Sequence, residues 1–242
     1  MKCIYIFCTP IILLLAHPRS LSTAFERIIR ERGDFTVIHE PFTYLYYLKH
    51  FPDSPETTSF PDYFPKTYAK MCEWILSHDT PVFIKDMAFA LDDLSILDHV
   101  KLMLLHRDPS QALPSLYKME PECDFEFTGF AQLSNLIPKA QFILDAEELQ
   151  NNPEKSYLAF CKTMGIPHLP DALHFQKRTP SECWQGKWYK EVRLLDRITK
   201  RARHKMEDIP LKDRPRWMRY YCDSMPHYEE LVRATPRINH ID

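Results

Sequence analysis

Short apolar runs alternate with stretches of helical periodicity over the first two thirds of the chain. The apolar runs are continuous, which is typical of strands that are buried on both faces of a parallel sheet. Because strands alternate with helices, we predict right-handed crossovers and a three-layer α/β/α fold around a central parallel sheet. The predicted strands lie within Ile11–Ala16, Phe35–Phe42, Pro81–Met87, Val100–Pro109 and Gln141–Leu144.

Helical spacing fills the intervals between these runs. Ser20 or Ser22 can cap the first helix, and Gly33 can end it. The segment between residues 42 and 64 is rich in aromatic residues and proline, so we predict a loop with a short helix that covers a pocket. Helices are predicted at Ser22–Arg32, at Lys66–His78, from Pro109 onward and at Pro153–Met164.

The first 16 residues have two interpretations. One lysine followed by apolar residues is similar to a short signal peptide, and cleavage after Ala16 would remove the first predicted strand. Pro10 interrupts the apolar stretch, however, and neither half is long enough to span a bilayer. We favour a buried strand at Ile11–Ala16, preceded by an edge strand or a loosely packed tail at residues 1–9.

Charge and cysteine content narrow the class of protein. Lys and Arg total 31 and Asp and Glu total 33, which gives a formal charge of −2. Nucleic-acid binding without sequence preference needs a basic excess, so no nucleic-acid partner is expected, and no membrane partner is expected either. The seven cysteines are scattered without a CxxC pair, which is typical of reduced thiols in a cytoplasmic protein.

The glycines exclude two nucleotide-binding motifs. The chain has four, at Gly33, Gly129, Gly165 and Gly186, and no two are close together. Walker A (GxxxxGK[ST]) and the dinucleotide fingerprint GxGxxG both need several glycines within a few residues. The eleven histidines contain no HExxH, and no metal site is expected.

A polar turn follows the first predicted strand and precedes the first predicted helix. The free N–H groups and partial positive charge of a helix N-terminus bind anions. Arg19 adds a charged donor fork, and the hydroxyls of Ser20, Ser22 and Thr23 add further donors. The pattern therefore favours a phosphate or sulfate site, although an ordinary capped helix with a solvated Arg19 has the same sequence signature.

A second turn has the same character. Arg107 ends the fourth predicted strand, and Ser115 follows eight residues later in a predicted helix. Ligands of open parallel sheets gather at the carboxyl ends of the strands, where these residues can hold a second phosphate. The alternative is a surface Arg107 paired with Asp108, together with a buried helical serine.

Together, the two turns resemble the sulfotransferase family, whose sulfuryl donor is 3′-phosphoadenosine 5′-phosphosulfate (PAPS). In that family, a PKSGTT-like loop holds the 5′-phosphosulfate, and an Arg-Asn/Asp-Pro segment followed by Ser holds the 3′-phosphate. The resemblance covers residues 11–167 and implies a P-loop-like nucleotide-binding core without Walker A, in one domain of residues 1–242 whose part 168–242 is mostly helical. The matching residues are Pro18-Arg19-Ser20-Leu21-Ser22-Thr23 and Arg107-Asp108-Pro109 with Ser115.

The chain departs from the family pattern at three places. Leu21 stands where the family has Gly, so the loop must either avoid a positive φ there or be strained. Met87 stands where cytosolic members have a histidine. The family's C-terminal Arg-Lys-Gly segment has no clear counterpart, and its stand-ins are Lys177, Arg178 and Lys187.

The resemblance also implies roles in catalysis. Arg19, with Lys85 on the third strand, would stabilise the donor oxygens as the leaving phosphate gains charge. The general base is expected to be Glu40, then His39, then His17. Because neighbouring residues of a strand alternate, we expect His39 and Glu40 to point to opposite faces.

The acceptor is expected to be a small molecule with a hydroxyl or amine group, and PAP would be the second product. The aromatic segment can flank it with Tyr44, Tyr46, Tyr47 and Phe51, whereas Leu45 and Leu48 are expected in the core. Adenine can stack on one of three tryptophans, Trp184, Trp188 and Trp217. Two other functions stay open, a nucleotide-dependent kinase on a related scaffold and a binding module that has lost its chemistry.

Overall fold

A single parallel sheet organises the computed structural model, which describes residues 10–176, 187–200 and 204–236. Its strand order is β2-β3-β1-β4-β5, and every neighbouring pair is parallel. The five predicted strands are confirmed. The strands are β1 Ile11–Ala16, β2 Thr36–His39, β3 Val82–Met87, β4 Lys101–His106 and β5 Phe142–Asp145.

Helices connect the strands and cover both faces of the sheet. The α-helices are α1 Ser22–Arg32, α2 Pro41–His50, α3 Pro55–Thr58, α4 Tyr68–Leu76, α5 Pro109–Tyr117, α6 Phe130–Ser134, α7 Ala146–Asn151, α8 Pro153–Met164 and α9 Arg214–Ala234. Short 3₁₀ helices lie at Ala88–Ala90, Ser95–Asp98, Glu126–Thr128, Ile137–Lys139, Pro170–Leu173, Lys187–Tyr189, Val192–Leu194 and Met206–Asp208.

The core has two main layers because successive residues of each strand point to opposite faces. Ile12 and Leu14 of β1 pack with α1 and α8, whereas Leu13 and Leu15 pack with α2, α4 and α6. All four side chains are completely buried, and burial of each contributes about 1.5–3 kcal/mol. The predicted three-layer α/β/α fold is therefore confirmed.

The aromatic segment is more ordered than predicted, because it forms α2 and α3 rather than mainly a loop. Leu45 and Leu48 pack against the core, as expected. No helix in the three described ranges is long and apolar enough to cross a membrane. The cysteines at 72, 123, 161 and 222 are free thiols, and the predicted segment at residues 1–9 lies outside the described residues.

The sheet register brings the strand ends together. Ala16 is level with Met87 of β3 and with Leu105 of β4, and His39 is level with Lys85. The chain continues from β1 to β2 and β3, which lie on one side of β1 in the sheet. After β3 it crosses to β4 and β5, which lie on the other side of β1. Such a reversal leaves a crevice at the carboxyl edge, where open sheets bind ligands.

The backbone at this edge is left-handed at three residues with side chains. They are Arg19 with φ 67°, Leu21 with φ 72° and Glu40 with φ 51°, and no other described residue except glycine has a positive φ. Leu21 is the N-cap of α1, without a side-chain hydrogen bond to the helix. Capping by Ser20 or Ser22 is thus a wrong prediction, because the chain reaches α1 through this left-handed turn.

At position 21, glycine should give a more stable protein than alanine, which is the reverse of the usual order of stability inside a helix. A left-handed backbone costs a residue with a Cβ about 1–2 kcal/mol. Leu21→Gly should therefore have a free energy of unfolding about 1 kcal/mol higher than Leu21→Ala, as measured by urea denaturation. At Ala24, inside the same helix, Ala24→Gly is the control and should lose about 1 kcal/mol. A Leu21→Ala protein that is more stable than Leu21→Gly would contradict the assigned strain.

Candidate functional site

One pocket of about 730 Å³ opens at the carboxyl edge of the sheet. Both polar turns contribute to one part of its wall, and aromatic and other apolar side chains form another part. The polar wall includes Arg19, Leu21, Ser22, Thr23, Arg107 and Ser115. The apolar wall includes Tyr47, Phe60, Met87, Phe89 and Phe127.

The turn after β1 presents unsatisfied donors. The first amides of α1 have no side-chain cap, so the positive end of the helix dipole faces the turn. Ser20 is fully buried, and its Oγ has no hydrogen-bond partner in the structure. Because a buried polar atom without a partner is unfavourable, the turn is suited to an anion that accepts hydrogen bonds.

The two polar turns contact each other directly. Arg19 Nε donates to Ser115 Oγ at 2.9 Å, and Arg107 Nη1 donates to the Arg19 carbonyl at 3.1 Å. Asp108 caps α5 by accepting from the Ser110 amide at 2.7 Å. The turns therefore form one cationic wall, as the positions of their strands predicted. The Arg107–Asp108 pairing considered from the sequence is absent from the ion pairs of the described residues.

His17 joins the backbones of the two turns. Its Nδ1 donates to the Pro18 carbonyl at 2.9 Å, and its Nε2 accepts from the Arg107 amide at 2.8 Å. The ring stacks on Phe130 at 4.1 Å between centroids. Burial lowers the pKa of His17 to about 3. The prediction of His17 as the third candidate base is therefore wrong. Its ring is buried and neutral, and both ring nitrogens form hydrogen bonds with the backbone.

Glu40 reaches the pocket wall from the end of β2. It adopts the left-handed conformation immediately after His39, so strand alternation stops there. His39 Nε2 consequently lies 3.7 Å from Glu40 Oε1. The two side chains therefore approach each other, although only Glu40 of the two lines the pocket.

Lys85 lies behind Glu40. The lysine is completely buried, and its Nζ forms a short hydrogen-bonded ion pair with Glu40 Oε1. Burial alone would raise the pKa of Glu40, but the charges of Lys85 and His39 outweigh it, so the pKa lies below its usual value. In this structure, Lys85 holds the carboxylate rather than lining the pocket.

Three functional neighbours were missed by sequence reasoning. Glu26 and Tyr189 contact His39, at 2.6 Å and 3.0 Å. Asp86, next to Lys85, accepts hydrogen bonds from the first amides of α2 and thereby caps that helix from the neighbouring strand. The two charged residues Lys85 and Asp86 within an apolar strand were a sequence signal for the role of Asp86. No sequence pattern pointed to Glu26 or Tyr189.

The predicted aromatic contacts are only partly observed. Tyr47 lines the pocket. Tyr44 is instead buried in the core, Phe51 is half exposed, and Tyr46 packs on Phe89 at 5.1 Å. Helical geometry explains the difference, because successive residues of α2 point in different directions.

The C-terminal part closes one side of the pocket with Trp188 and Lys187. Buried Arg27 of α1 anchors this segment by donating to the Val192 carbonyl at 2.9 Å. Trp217 is wrong as a stacking residue, because it is completely buried in a cluster with α5 and α6.

Lys187 binds Glu120 Oε1 at 2.6 Å. The other proposed stand-ins, Lys177 and Arg178, and the third tryptophan, Trp184, lie outside the described residues. Within the described ranges, no group of three or more histidine, cysteine or acidic side chains is placed to hold a metal ion.

Comparison with known proteins identifies the domain. A family model described as a sulfotransferase domain matches residues 11–228. No curated protein sequence matches the chain.

Three solved structures are similar to this chain. The sulfotransferase domain from the curacin biosynthetic pathway has 13% identity and a TM-score of 0.43, covering 74% of this chain and 81% of that one. The sulfotransferase domain of the Synechococcus PCC 7002 olefin synthase has 15% identity and a TM-score of 0.45, with 88% and 94% covered. Retinol dehydratase in a complex with retinol and PAP has 10% identity and a TM-score of 0.44, with 95% and 83% covered.

Acid should destabilise the protein partly through His17. The folded pKa of about 3 lies below the unfolded value of 6.5, so the unfolded state binds a proton that the folded state does not. The stabilisation is present above pH 6.5 and is lost as the pH falls toward 3, by at most about 1.4 kcal/mol per pH unit. His17→Gln keeps an acceptor for the Arg107 amide but does not titrate, so its free energy of unfolding should fall less steeply.

Urea denaturation of both proteins at several pH values from 7 down to 4 measures this difference. His106 is also buried, with its pKa lowered to about 4 by burial, and it is present in both proteins. Parallel pH dependences of the two proteins would contradict the assigned role of His17.

Proposed function

The chain belongs to the sulfotransferase domain family, and from that premise we propose that it transfers a sulfuryl group from PAPS to a hydroxyl or amine of a small-molecule acceptor. The observation that carries this proposal is the direct contact between two anion-binding turns in one pocket, where Arg19 Nε lies 2.9 Å from Ser115 Oγ. A donor with anionic groups at both its 5′ and 3′ positions needs two such turns side by side.

The turn after β1 is suited to the 5′-phosphosulfate. Arg19, Ser22 and Thr23 line the pocket, and the buried Ser20 hydroxyl and the uncapped amides of α1 supply further donors. Arg107 and Ser115 are placed for the 3′-phosphate. Trp188 lies in the pocket wall and offers a face on which adenine can stack.

In sulfuryl transfer, the acceptor oxygen or nitrogen forms a bond to sulfur while the bond from sulfur to the phosphate oxygen breaks. Negative charge develops on the leaving phosphate, as in phosphoryl transfer. Arg19 and the N-terminus of α1 stabilise that charge from fixed positions, which is the largest contribution expected in such sites. No Mg²⁺ is assigned a role in this step.

Glu40 is the residue assigned to accept the proton of the acceptor. It lies on the pocket wall, and Lys85 keeps it ionised. His39 does not line the pocket and is therefore not the group that meets the acceptor. Glu40 thus ranks ahead of His39, as the sequence suggested, on grounds of position.

The walls around Glu40 favour an uncharged or cationic acceptor with an apolar body. Phe60, Phe89 and Phe127 supply aromatic surface, and Glu56 adds a second carboxylate to the lining. An anionic acceptor would meet two carboxylates in this part of the pocket, which is unfavourable.

Nucleotide binding tests the donor site before any acceptor is known. Adenosine 3′,5′-bisphosphate at 100 times its Kd should stabilise the protein by about 2.7 kcal/mol in a thermal-shift assay, whereas 5′-AMP should act only at much higher concentration. Arg107→Ala should abolish this preference, while Arg233→Ala, an exposed arginine paired with Glu229, is the control and should keep it. Stabilisation by Mg·ATP alone would favour the kinase, and no response to any nucleotide would remove the proposed donor.

Turnover tests Glu40. With PAPS and a panel of uncharged aromatic alcohols and amines, Glu40→Gln should lower kcat by about 100-fold or more, as measured by PAP release. Binding of adenosine 3′,5′-bisphosphate should be retained, which shows that the variant is folded. Equal turnover by the variant and the unsubstituted protein would exclude Glu40 as the base, and bisphosphate binding without turnover on any acceptor would favour a non-catalytic binding module.

A further inference from the structure

A chain of buried polar side chains extends from Glu40 into the protein. Tyr189 Oη lies 3.2 Å from Glu40 Oε2 and 3.0 Å from His39 Nε2. His39 Nδ1 lies 2.6 Å from Glu26 Oε2, and Arg30 Nε donates to Glu26 Oε1 at 2.7 Å. Glu40 and Tyr189 line the pocket, whereas His39, Glu26 and Arg30 do not. The last three residues therefore act on a ligand only through Tyr189 and Glu40.

The proton positions follow from counting donors and acceptors. Glu26 is an ionised carboxylate that only accepts, because the charges of His39 and Arg30 overcome the effect of burial and lower its pKa to about 2. His39 Nδ1 therefore carries a proton. Tyr189 has a single proton, and only one arrangement leaves all three contacts hydrogen-bonded while Glu40 is ionised. In that arrangement, Tyr189 donates to Glu40, and His39 Nε2 donates to Tyr189.

We propose that His39 is doubly protonated and that Glu26, His39 and Tyr189 are positioning residues that orient the Glu40 carboxylate and keep it ionised. This inference rests on the proposed function in assigning Glu40 as the base. No bond other than hydrogen bonds changes within the chain, so the proton taken from the acceptor stays on Glu40 until it leaves through the pocket.

The charges around His39 are consistent with a cation there. Glu26 and Arg30 face it from α1, Glu40 adjoins it, and Lys85 of β3 lies beyond Glu40. With His39 charged, the cluster holds three cations and two carboxylates, and each carboxylate oxygen accepts at least one hydrogen bond.

Glu40 has further titratable neighbours that do not donate to it. Asp86 of β3 and Tyr47 of α2 interact electrostatically with Glu40. Tyr189 contacts Glu40 from the 3₁₀ helix Lys187–Tyr189. Asp86 opposes the charge on Glu40, whereas Lys85, the charge of His39 and the hydrogen bond from Tyr189 favour ionised Glu40.

Two substitutions at opposite ends of the chain should have the same effect on Glu40. Tyr189→Phe removes the hydroxyl that donates to Glu40. Glu26→Gln removes the counter-ion of His39, so His39 loses its Nε2 proton and Tyr189 turns its hydroxyl toward the ring. In both cases, Glu40 loses a donor that favours its charged form, and its titration midpoint should rise by about half to one pH unit.

The experiment is a pH titration of the full chain without ligand, labelled with ¹³C in glutamate carboxyls and ¹⁵N in histidine rings. Signals are assigned by their loss in Glu40→Gln and His39→Gln. We expect both ring nitrogens of His39 to be protonated at pH 7 in the unsubstituted protein. We also expect the Glu40 titration midpoint to rise in Tyr189→Phe and in Glu26→Gln. The double variant should show no additional rise, because all three proteins interrupt the same series of hydrogen bonds.

Tyr220→Phe is the matched control, since it also removes a hydrogen-bonding tyrosine hydroxyl. The Tyr220 hydroxyl donates to the Cys123 carbonyl at 3.2 Å. It should leave the His39 and Glu40 signals unchanged. An unprotonated His39 Nε2 at pH 7 would overturn the inference, as would a Glu40 midpoint that moves in Tyr189→Phe but not in Glu26→Gln.

Turnover separates this inference from the proposed function. In an assay with PAPS and an accepted aromatic alcohol, Tyr189→Phe should lower kcat by about tenfold, leave the KM for PAPS unchanged and move the acidic limb of the pH profile upward. If the spectroscopic shifts occur but no acceptor is turned over, the positioning chain stands and the base role of Glu40 fails. If turnover occurs and the acidic limb is identical in Tyr189→Phe, the chain fails and the sulfotransferase function stands.

Discussion

Left-handed backbone at Arg19, Leu21 and Glu40 is the constraint around which the pocket is built. Each such residue costs about 1–2 kcal/mol relative to a glycine, so the conformation persists only where neighbouring contacts fix it. Arg19 is held by its hydrogen bonds to Ser115 and from Arg107, both across the pocket edge. Leu21 packs against the core beside α1. The strain is therefore concentrated at one edge of the sheet, where all three residues line the pocket.

Glu40 is held differently, by buried charge. Lys85 pairs with one of its oxygens, and the adjacent Asp86 caps α2, the helix that begins directly after Glu40. A buried ion pair contributes little net stability, but loss of one partner leaves an uncompensated charge and costs about 3–5 kcal/mol. Two neighbouring residues of β3 thus fix both the carboxylate and the backbone that carries it. The arrangement specifies the position of Glu40 rather than adding to the stability of the fold.

The sheet could be predicted because its strands are continuous apolar runs, and parallel pairing then requires their carboxyl ends to share one edge. This reasoning places Arg19 and Arg107 at the same edge of the sheet. The position of His39 could not be obtained in the same way, since strand alternation fails where the backbone becomes left-handed. Glu26 lies on an amphipathic helix where a solvated glutamate has the same spacing, and Tyr189 is separated from its partners by about 150 residues. Contacts of that kind depend on tertiary packing, which periodicity does not encode.

The contacts between the two turns bear on how the proposed donor is recognised. Arg107 donates to the carbonyl of Arg19, and Arg19 donates to Ser115, so neither turn has a geometry independent of the other. A nucleotide that lacks one anionic group leaves donors of that turn unsatisfied, and such a loss costs more than the missing contact alone. Sites that hydrogen-bond a particular group reject analogues without it far more strongly than apolar pockets reject a missing methylene. We therefore propose that the shared wall selects a nucleotide with both a 5′ and a 3′ anion, and that the apolar wall selects the acceptor.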